Sequence, residues 1–189
     1  RDAVRRHVGT DAYVGGMLDR SGAHMHPLNL ALGEARAFEQ LGGTIFENSP
    51  VTGVTRTGDR FTVRTAAGEL RARTVLLCGN VVPALTARVM PVSTQMIATE
   101  PLGDERAARL LPTDLCVEDV RYILDYFRLS ADRRLLFGGG IVYGGGDPAD
   151  IAASLRPNMA RIFPELKDIG IEFAWSGNFA LSFSRVPQL

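Results

Sequence analysis

Four side chains in the second half of the sequence have types suited to holding a small charged molecule: Tyr122, Tyr126, Arg128 and Trp175. Tyr122, Tyr126 and Arg128 stand at i, i+4 and i+6 of one stretch, so on a strand their side chains share a face. A guanidinium pairs with a carboxylate through two parallel hydrogen bonds, and aromatic faces attract cations. The same residue types also serve structure alone. A Tyr or Trp buries an apolar body with a hydrogen-bonded tip, and a sheet Arg is often solvated.

Other chemistries are poorly served. Cys78 and Cys116 lie in apolar surroundings, Leu76-Leu77-Cys78 and Leu115-Cys116-Val117, and read as small buried thiols. Two cysteines without a CxxC make neither a disulfide framework nor a zinc knuckle. His24 and His26 are two residues apart with no carboxylate at ligand spacing, and His7 stands alone, so no metal site is expected. His26, just before a helix, reads as a cap rather than a catalytic group. GxSxG, HExxH and the P-loop lysine are absent. The runs Gly138-Gly139-Gly140 and Gly144-Gly145-Gly146 invite comparison with a phosphate loop. A dinucleotide loop, however, leads from strand through GxGxxG directly into a helix. Here the helix follows only after Gly146, so the glycines read as a strand end and a loop where backbones or a ligand approach closely.

The elements that must position these residues follow from periodicity. Residues 1–10 are charged and read as the end of a helix, and residues 13–18 as a short strand. Residues 27–42 form the strongest helix pattern: Pro27 fits the first turn, and Gly42-Gly43 stops it. Leu28, Leu32, Ala35, Phe38 and Leu41 make one apolar stripe, expected to pack. Residues 44–47 read as a strand. A meander follows, with strands at 51–57, 60–65 and 70–78 and turns at Gly58-Asp59 and Ala67-Gly68. The run Val75-Leu76-Leu77-Cys78 looks like a strand covered on both faces, ended by Gly79-Asn80.

Beyond Pro83, residues 92–99 read as a strand and 104–111 as a helix capped by Asp104. Residues 122–129 and 135–140 read as a hairpin. Asp147-Pro148 opens a helix over 149–163 in which Pro157 implies a kink or break. Residues 169–175 and 179–185 read as two further strands. The sum is an α+β fold with a sizeable antiparallel sheet.

Composition narrows the field further. A chain of 189 residues with 46% hydrophobic and 22% charged residues is of ordinary globular type. Acidic and basic residues cancel at 21 each, which favours neither nucleic acid nor an anionic membrane. No apolar run approaches the ~20 residues of a membrane helix. Without the order of a signal peptide, a cytoplasmic location is expected. No pattern sets an oligomeric state. All basic residues but Lys167 are Arg, scattered along the chain as a genome bias would scatter them. The chain begins at Arg1 and ends in Val186-Pro187-Gln188-Leu189, ends that look like cuts in a longer protein.

Several segments together resemble the D-amino-acid-oxidase-like superfamily of flavin oxidoreductases. These are Gly22-Ala23-His24-Met25-His26-Pro27-Leu28-Asn29-Leu30, Glu47-Asn48-Ser49-Pro50-Val51-Thr52-Gly53-Val54 and Val75-Leu76-Leu77-Cys78-Gly79-Asn80. The run Asp125-Tyr126-Phe127-Arg128-Leu129-Ser130, with Arg134-Leu135-Leu136-Phe137-Gly138-Gly139 and Tyr143-Gly144-Gly145, is similar to that superfamily's gamma-glutamylputrescine oxidase branch. So are Leu155-Arg156-Pro157-Asn158-Met159, Phe163-Pro164-Glu165-Leu166-Lys167-Asp168 and Trp175-Ser176-Gly177-Asn178.

The resemblance implies FAD as cofactor, with contacts at Val51, Gly79 and Asn80. It also implies an amine substrate on the antiparallel sheet, lined by Tyr122, Tyr126, Arg128 and Trp175, and oxidation to an imine and aldehyde with peroxide formed. Residues 1–90 then read as part of a Rossmann-like FAD-binding domain and residues 91–189 as a substrate-binding domain. The family's N-terminal GxGxxG unit and the stretch after the Arg-x-Pro-Gln element, residues 185–188 here, are absent, so the chain reads as a middle fragment that is inactive and without FAD by itself. No acid–base residue is assigned, because the chemistry belongs to the cofactor. A non-catalytic binding module that keeps the fold without flavin is the alternative. Glycine or sarcosine oxidase and D-amino acid dehydrogenase are further branches.

Overall fold

The computed structural model describes residues 2–80 and 87–184. The chain divides into two compact units, residues 25–79 and residues 1–24 with 80–189. The units therefore do not divide at residue 90. The first 24 residues belong with the C-terminal unit for a local reason. Gly9 N donates to Leu110 O at 2.9 Å, and a side chain at Gly9 would collide with the Arg109 carbonyl. The Thr10 hydroxyl donates to the Ile162 carbonyl. The N-terminal helix is the short α1 (Asp2–Arg5). Residues 13–18 form no strand; Tyr13 instead stacks near Phe127, its ring centroid 6.5 Å away.

The unit of residues 25–79 holds α2 (Pro27–Gln40) and a meander of β1 (Val51–Thr57), β2 (Arg60–Thr65) and β3 (Gly68–Ala72) in antiparallel order. His26 caps α2, its Nδ1 accepting from Asn29 N at 3.3 Å. The helix ends in a Schellman motif: Gly42 N bonds Glu39 O, Gly43 N bonds Phe38 O, and Gly42 takes φ +89°. The expected packing of the α2 stripe does not occur. Leu28, Leu32, Phe38 and Leu41 are all exposed, Leu28 at 60%. Nor do residues 44–47 form a strand.

The third meander strand stops at Ala72, and Val75-Leu76-Leu77-Cys78 is irregular, with Leu76 80% exposed. An apolar strand of this kind is stable when neighbours bond both its edges, and no described strand pairs with it. For the same reason Cys78 is exposed rather than buried; Cys116 is exposed as well, and both are free.

The larger unit holds the core. Its sheet runs β5-β6-β7-β4-β8, antiparallel throughout: β4 (Val89–Thr99), β5 (Val117–Glu118), β6 (Tyr126–Leu129), β7 (Leu135–Tyr143) and β8 (Ile171–Ser182). One face carries Phe127, Leu129, Leu135, Phe137 and Ile97, buried with α3 (Gly103–Leu110) and α4 (Ile151–Ile162) residues such as Leu110, Leu155, Met159 and Ile162. Phe127 centres this core, stacked on Phe137 at 5.9 Å and edge-on to Phe163 at 5.1 Å.

Four local expectations differ. Asp104 does not cap α3: Leu102 holds the N-cap position without a side-chain cap, and the Asp104 carboxylate instead accepts from Arg133 Nε at 2.9 Å. Asp150 caps α4 through Ala153 N at 2.9 Å, and the helix runs unbroken past Pro157, whose ring costs one backbone bond. The two strands expected near 169–185 are one strand, β8, because Ser176, Gly177 and Asn178 stay in register with Gln95, Thr94 and Ser93 of β4. The element Arg185-Val186-Pro187-Gln188 lies outside the described residues. Among those residues no helix is long and apolar enough to cross a membrane.

Candidate functional site

Side chains of paired residues in an antiparallel sheet fall on the same face. Tyr126 pairs with Gly138, Gly138 with Met96, and Met96 with Trp175, so these four form one row across β6, β7, β4 and β8. Arg128, Leu136, Ala98 and Phe173 form the next row on that face. The opposite face is the core. Tyr126, Arg128 and Trp175 therefore share one face, as their spacing implies, and Trp175 is 42% exposed there with Phe173 beside it. Tyr122 does not join them. The strand begins only at Tyr126, and Tyr122 sits in the preceding loop, 74% exposed.

The glycine run is explained by this crossing. A side chain at Gly138 would collide with the Tyr126 ring and the Met96 sulfur. At Gly139 a Cβ would fall 2.9 Å from Asp125 Oδ1. Gly140, at φ +69°, is the extra residue between the Gln95–Gly139 and Thr94–Ile141 pairs. Such a bulge re-aims the strand beyond it. It sets Ile141 opposite Thr94, on the face of Tyr126, whereas Gly139 faces the core with Gln95. The Tyr126 hydroxyl and Thr94 Oγ1 share a hydrogen bond at 3.0 Å. Thr94, Met96, Ile141 and Phe173 thus join the face, neighbours that only the strand register reveals.

Arg128 is half-buried. Among the described residues its guanidinium makes one hydrogen bond, Nη1 to Leu129 O at a long 3.4 Å. Among the described residues no carboxylate lies within ion-pair distance of it. Other arginines of this unit are engaged: Arg134 with Asp132 and Glu172, and Arg121 and Arg161 with Asp125.

Asp125 anchors the face from behind. Its carboxylate is fully buried and accepts from Arg121 at 2.9 Å, Arg161 at 2.7 Å and Asn158 at 2.9 Å. Tyr13 lies in the same region, where burial first, and the charges of Asp119 and Asp125 second, push its phenol up to about 12. At the other end of the sheet, Ser93 and Ser176 donate to Asp147 at 2.5 and 2.7 Å, and these bonds hold its carboxyl below the ordinary value. Although the residue is exposed, partial desolvation of its sulfur raises the Cys116 thiol against the opposing charge of Arg128, the reverse of a reactive cysteine.

The second glycine run leads from β7 toward α4, but Asp147 and Asp150 precede the helix and Asp150 occupies its N-terminus. Two carboxylates there oppose a phosphate. Among the described residues no group of three or more His, Cys, Asp or Glu is arranged to hold a metal. An open cleft of about 390 Å³, lined by His7, Asp19, Arg20 and Thr113 among others, contains none of the sheet-face residues.

The whole chain, residues 1–189, matches the family described as DAO, FAD dependent oxidoreductase. The chain belongs to this family. It is 48% identical over 99% of its length to the gamma-glutamylputrescine oxidoreductase of Escherichia coli (strain K12), covering 45% of that protein. It is 36% identical over 98% of its length to a probable oxidoreductase, OrdL, of Haemophilus influenzae, covering 44% of it. The chain thus spans less than half the length of these curated relatives. Among solved structures, glycine oxidase from Geobacillus kaustophilus superposes with a TM-score of 0.71 at 22% identity, over 85% of this chain and 44% of that one. L-proline dehydrogenase from P. horikoshii superposes with a TM-score of 0.68 at 18% identity, over 83% and 44%. These likenesses show the fold: mixed helices and antiparallel sheets as in the DAO flavoproteins.

The positions expected to meet FAD fare unequally. Val51 opens β1 opposite Thr65 and is exposed, and Gly79 is exposed in an irregular segment. At Asn80 the side chain is engaged: its Oδ1 accepts from Ala180 N at 2.7 Å and its Nδ2 donates to Asn178 O, so both ends of the carboxamide serve β8.

Proposed function

We propose that the full-length protein is an FAD-dependent oxidoreductase acting on a small amine with a carboxylate tail, of the gamma-glutamylputrescine type. The open face of the five-stranded sheet is its amine site. The observation that carries this reading is Arg128, a half-buried guanidinium without a carboxylate partner among the described residues, on the face that bears Tyr126 and Trp175. A half-buried charge favours a partner, and a planar fork suits a carboxylate. The aromatic faces of Tyr126 and Trp175 suit the cationic or polyamine part of the same molecule. Similarity to a protein named gamma-glutamylputrescine oxidoreductase supports the substrate class.

In this reading the backbone at Val51 and Gly79 meets FAD, and the sheet residues orient the amine and exclude water. Bound FAD would supply the redox chemistry, the two-electron oxidation of the amine to an imine that water hydrolyses to an aldehyde, with oxygen as the final acceptor and peroxide as the co-product. No residue of this chain is required to move a proton for that step. The two free cysteines suit a reducing compartment, in keeping with a cytoplasmic enzyme.

The test is a substrate panel on the full-length flavoprotein, followed by oxygen consumption and peroxide release. Turnover of gamma-glutamylputrescine well above that of glycine, proline or putrescine supports the proposal. Turnover of glycine or proline with none of the acid-tailed amine refutes it.

A further inference from the structure

We propose that Gly138 and Thr94 are positioning residues for Tyr126, turning a ring face rather than a free phenol toward the amine. The inference rests on the reading of this face as the amine site. Three observations support it. The missing side chain at Gly138 leaves the space that the phenol end of the Tyr126 ring occupies, beside the Met96 sulfur. The ring thereby lies across β7 and is not raised from the sheet. Its hydroxyl then reaches β4 and bonds Thr94 Oγ1 at 3.0 Å. Finally, Thr94 stands two residues before Met96 on β4 and therefore on the Tyr126 face, and the Gly140 bulge sets Ile141 opposite it.

A phenol held by Thr94 has its polar tip occupied, so what it offers a substrate is mainly its π face. That face suits the cationic or methylene part of an amine and is a poor partner for a carboxylate. The substrate tail is thereby left to Arg128, one row away on the same face. The site then discriminates along its length: apolar-cationic at Tyr126, anionic at Arg128.

The experiment uses the full-length, flavin-loaded protein with ring-¹³C tyrosine, the Tyr126 resonance being assigned by its loss in Tyr126→Phe. Thr94→Val and Gly138→Ala are expected to move that resonance. They are also expected to raise KM for the acid-tailed amine about two- to tenfold, the range of a neutral hydrogen bond, with kcat and the flavin absorbance kept. Thr94→Ser, which retains the hydroxyl, is expected to behave as the wild type. If Gly138→Ala fails to fold, the contrast between Thr94→Val and Thr94→Ser decides. An unmoved resonance in Thr94→Val overturns the positioning role whatever the kinetics. A moved resonance with KM unchanged, in Tyr126→Ala as well, upholds the positioning of the ring and overturns the amine-site reading instead.

Discussion

Removing the Asp125 carboxylate should destabilise the sheet unit more than removing either of its arginines. The side chain is fully buried and accepts three hydrogen bonds, from Arg121, Arg161 and Asn158. The backbone is tied as well, Asp125 N to Asp119 Oδ1 at 3.1 Å and Asp119 N to Asp125 O at 2.9 Å. Hydrogen bonds to charged groups contribute roughly 1.5–3 kcal/mol each, but a simple sum overstates the loss. Arg121 and Arg161 are about half exposed, at 49% and 45%, and return to water once released. Asp125→Ala is therefore expected to cost about 2–4 kcal/mol, at or below the ~3–5 kcal/mol of a fully buried broken pair. Asp125→Asn should cost a similar amount, because an amide N–H then faces a guanidinium. Arg121→Ala or Arg161→Ala alone should cost about 1–2 kcal/mol, since the other arginine still pairs with the carboxylate. Equilibrium urea unfolding, read by the fluorescence of the chain's single Trp, Trp175, measures each value. An Asp125→Ala variant within about 0.5 kcal/mol of wild type, or an Arg161→Ala variant more damaging than Asp125→Ala, would refute the reasoning.

Gly140→Ala should lower stability by about 1–3 kcal/mol, because the position needs φ +69° and lies against the Gln95 carboxamide; an unchanged unfolding midpoint would contradict the bulge. The serine bonds that depress the Asp147 carboxyl below its ordinary 3.8 add stability above about pH 4, and this is lost as pH falls through the depressed value. The Ser93→Ala/Ser176→Ala double variant should thus lose more stability at pH 7 than at a pH low enough to protonate Asp147 in the fold, and equal losses at both would exclude the Asp147 clamp as their source. The 189-residue chain by itself is expected to purify without flavin colour, since Gly144–Gly146 lead into a helix start held by Asp150 and no GxGxxG occurs. A stoichiometric flavin spectrum would contradict this.

Local order was legible in the sequence where the partner lies close along the chain. The β1 and β2 strands fall at 51–57 and 60–65, as alternation and the Gly58-Asp59 turn require. The α2 helix starts at Pro27 behind a His26 cap and stops at Gly42-Gly43. Burial was less legible, because it depends on distant partners. The same apolar residues that read as a packed stripe in α2, or as a covered strand at Val75-Leu76-Leu77-Cys78, meet no covering element in their unit. In β8 the Ser176-Gly177-Asn178 run has turn-like composition, yet eleven residues of β4 hold it in register. In the candidate site, period-two spacing correctly joined Tyr126 to Arg128. It carried Tyr122 along wrongly, since periodicity does not say where a strand begins. Thr94, Met96 and Ile141 were invisible because register and a bulge, not spacing within one strand, place them on that face.

The most direct test of the central claim is steady-state kinetics of Arg128→Ala in the full-length flavoprotein, on an acid-tailed amine and on a simple diamine. Loss of a charge-assisted pair costs about 1.5–3 kcal/mol, about tenfold to a hundredfold in KM. That rise is expected for gamma-glutamylputrescine and not for putrescine, with the flavin spectrum unchanged. Equal effects on both amines, or none on either, would contradict the assignment of Arg128 and, with it, of this sheet face as the amine site.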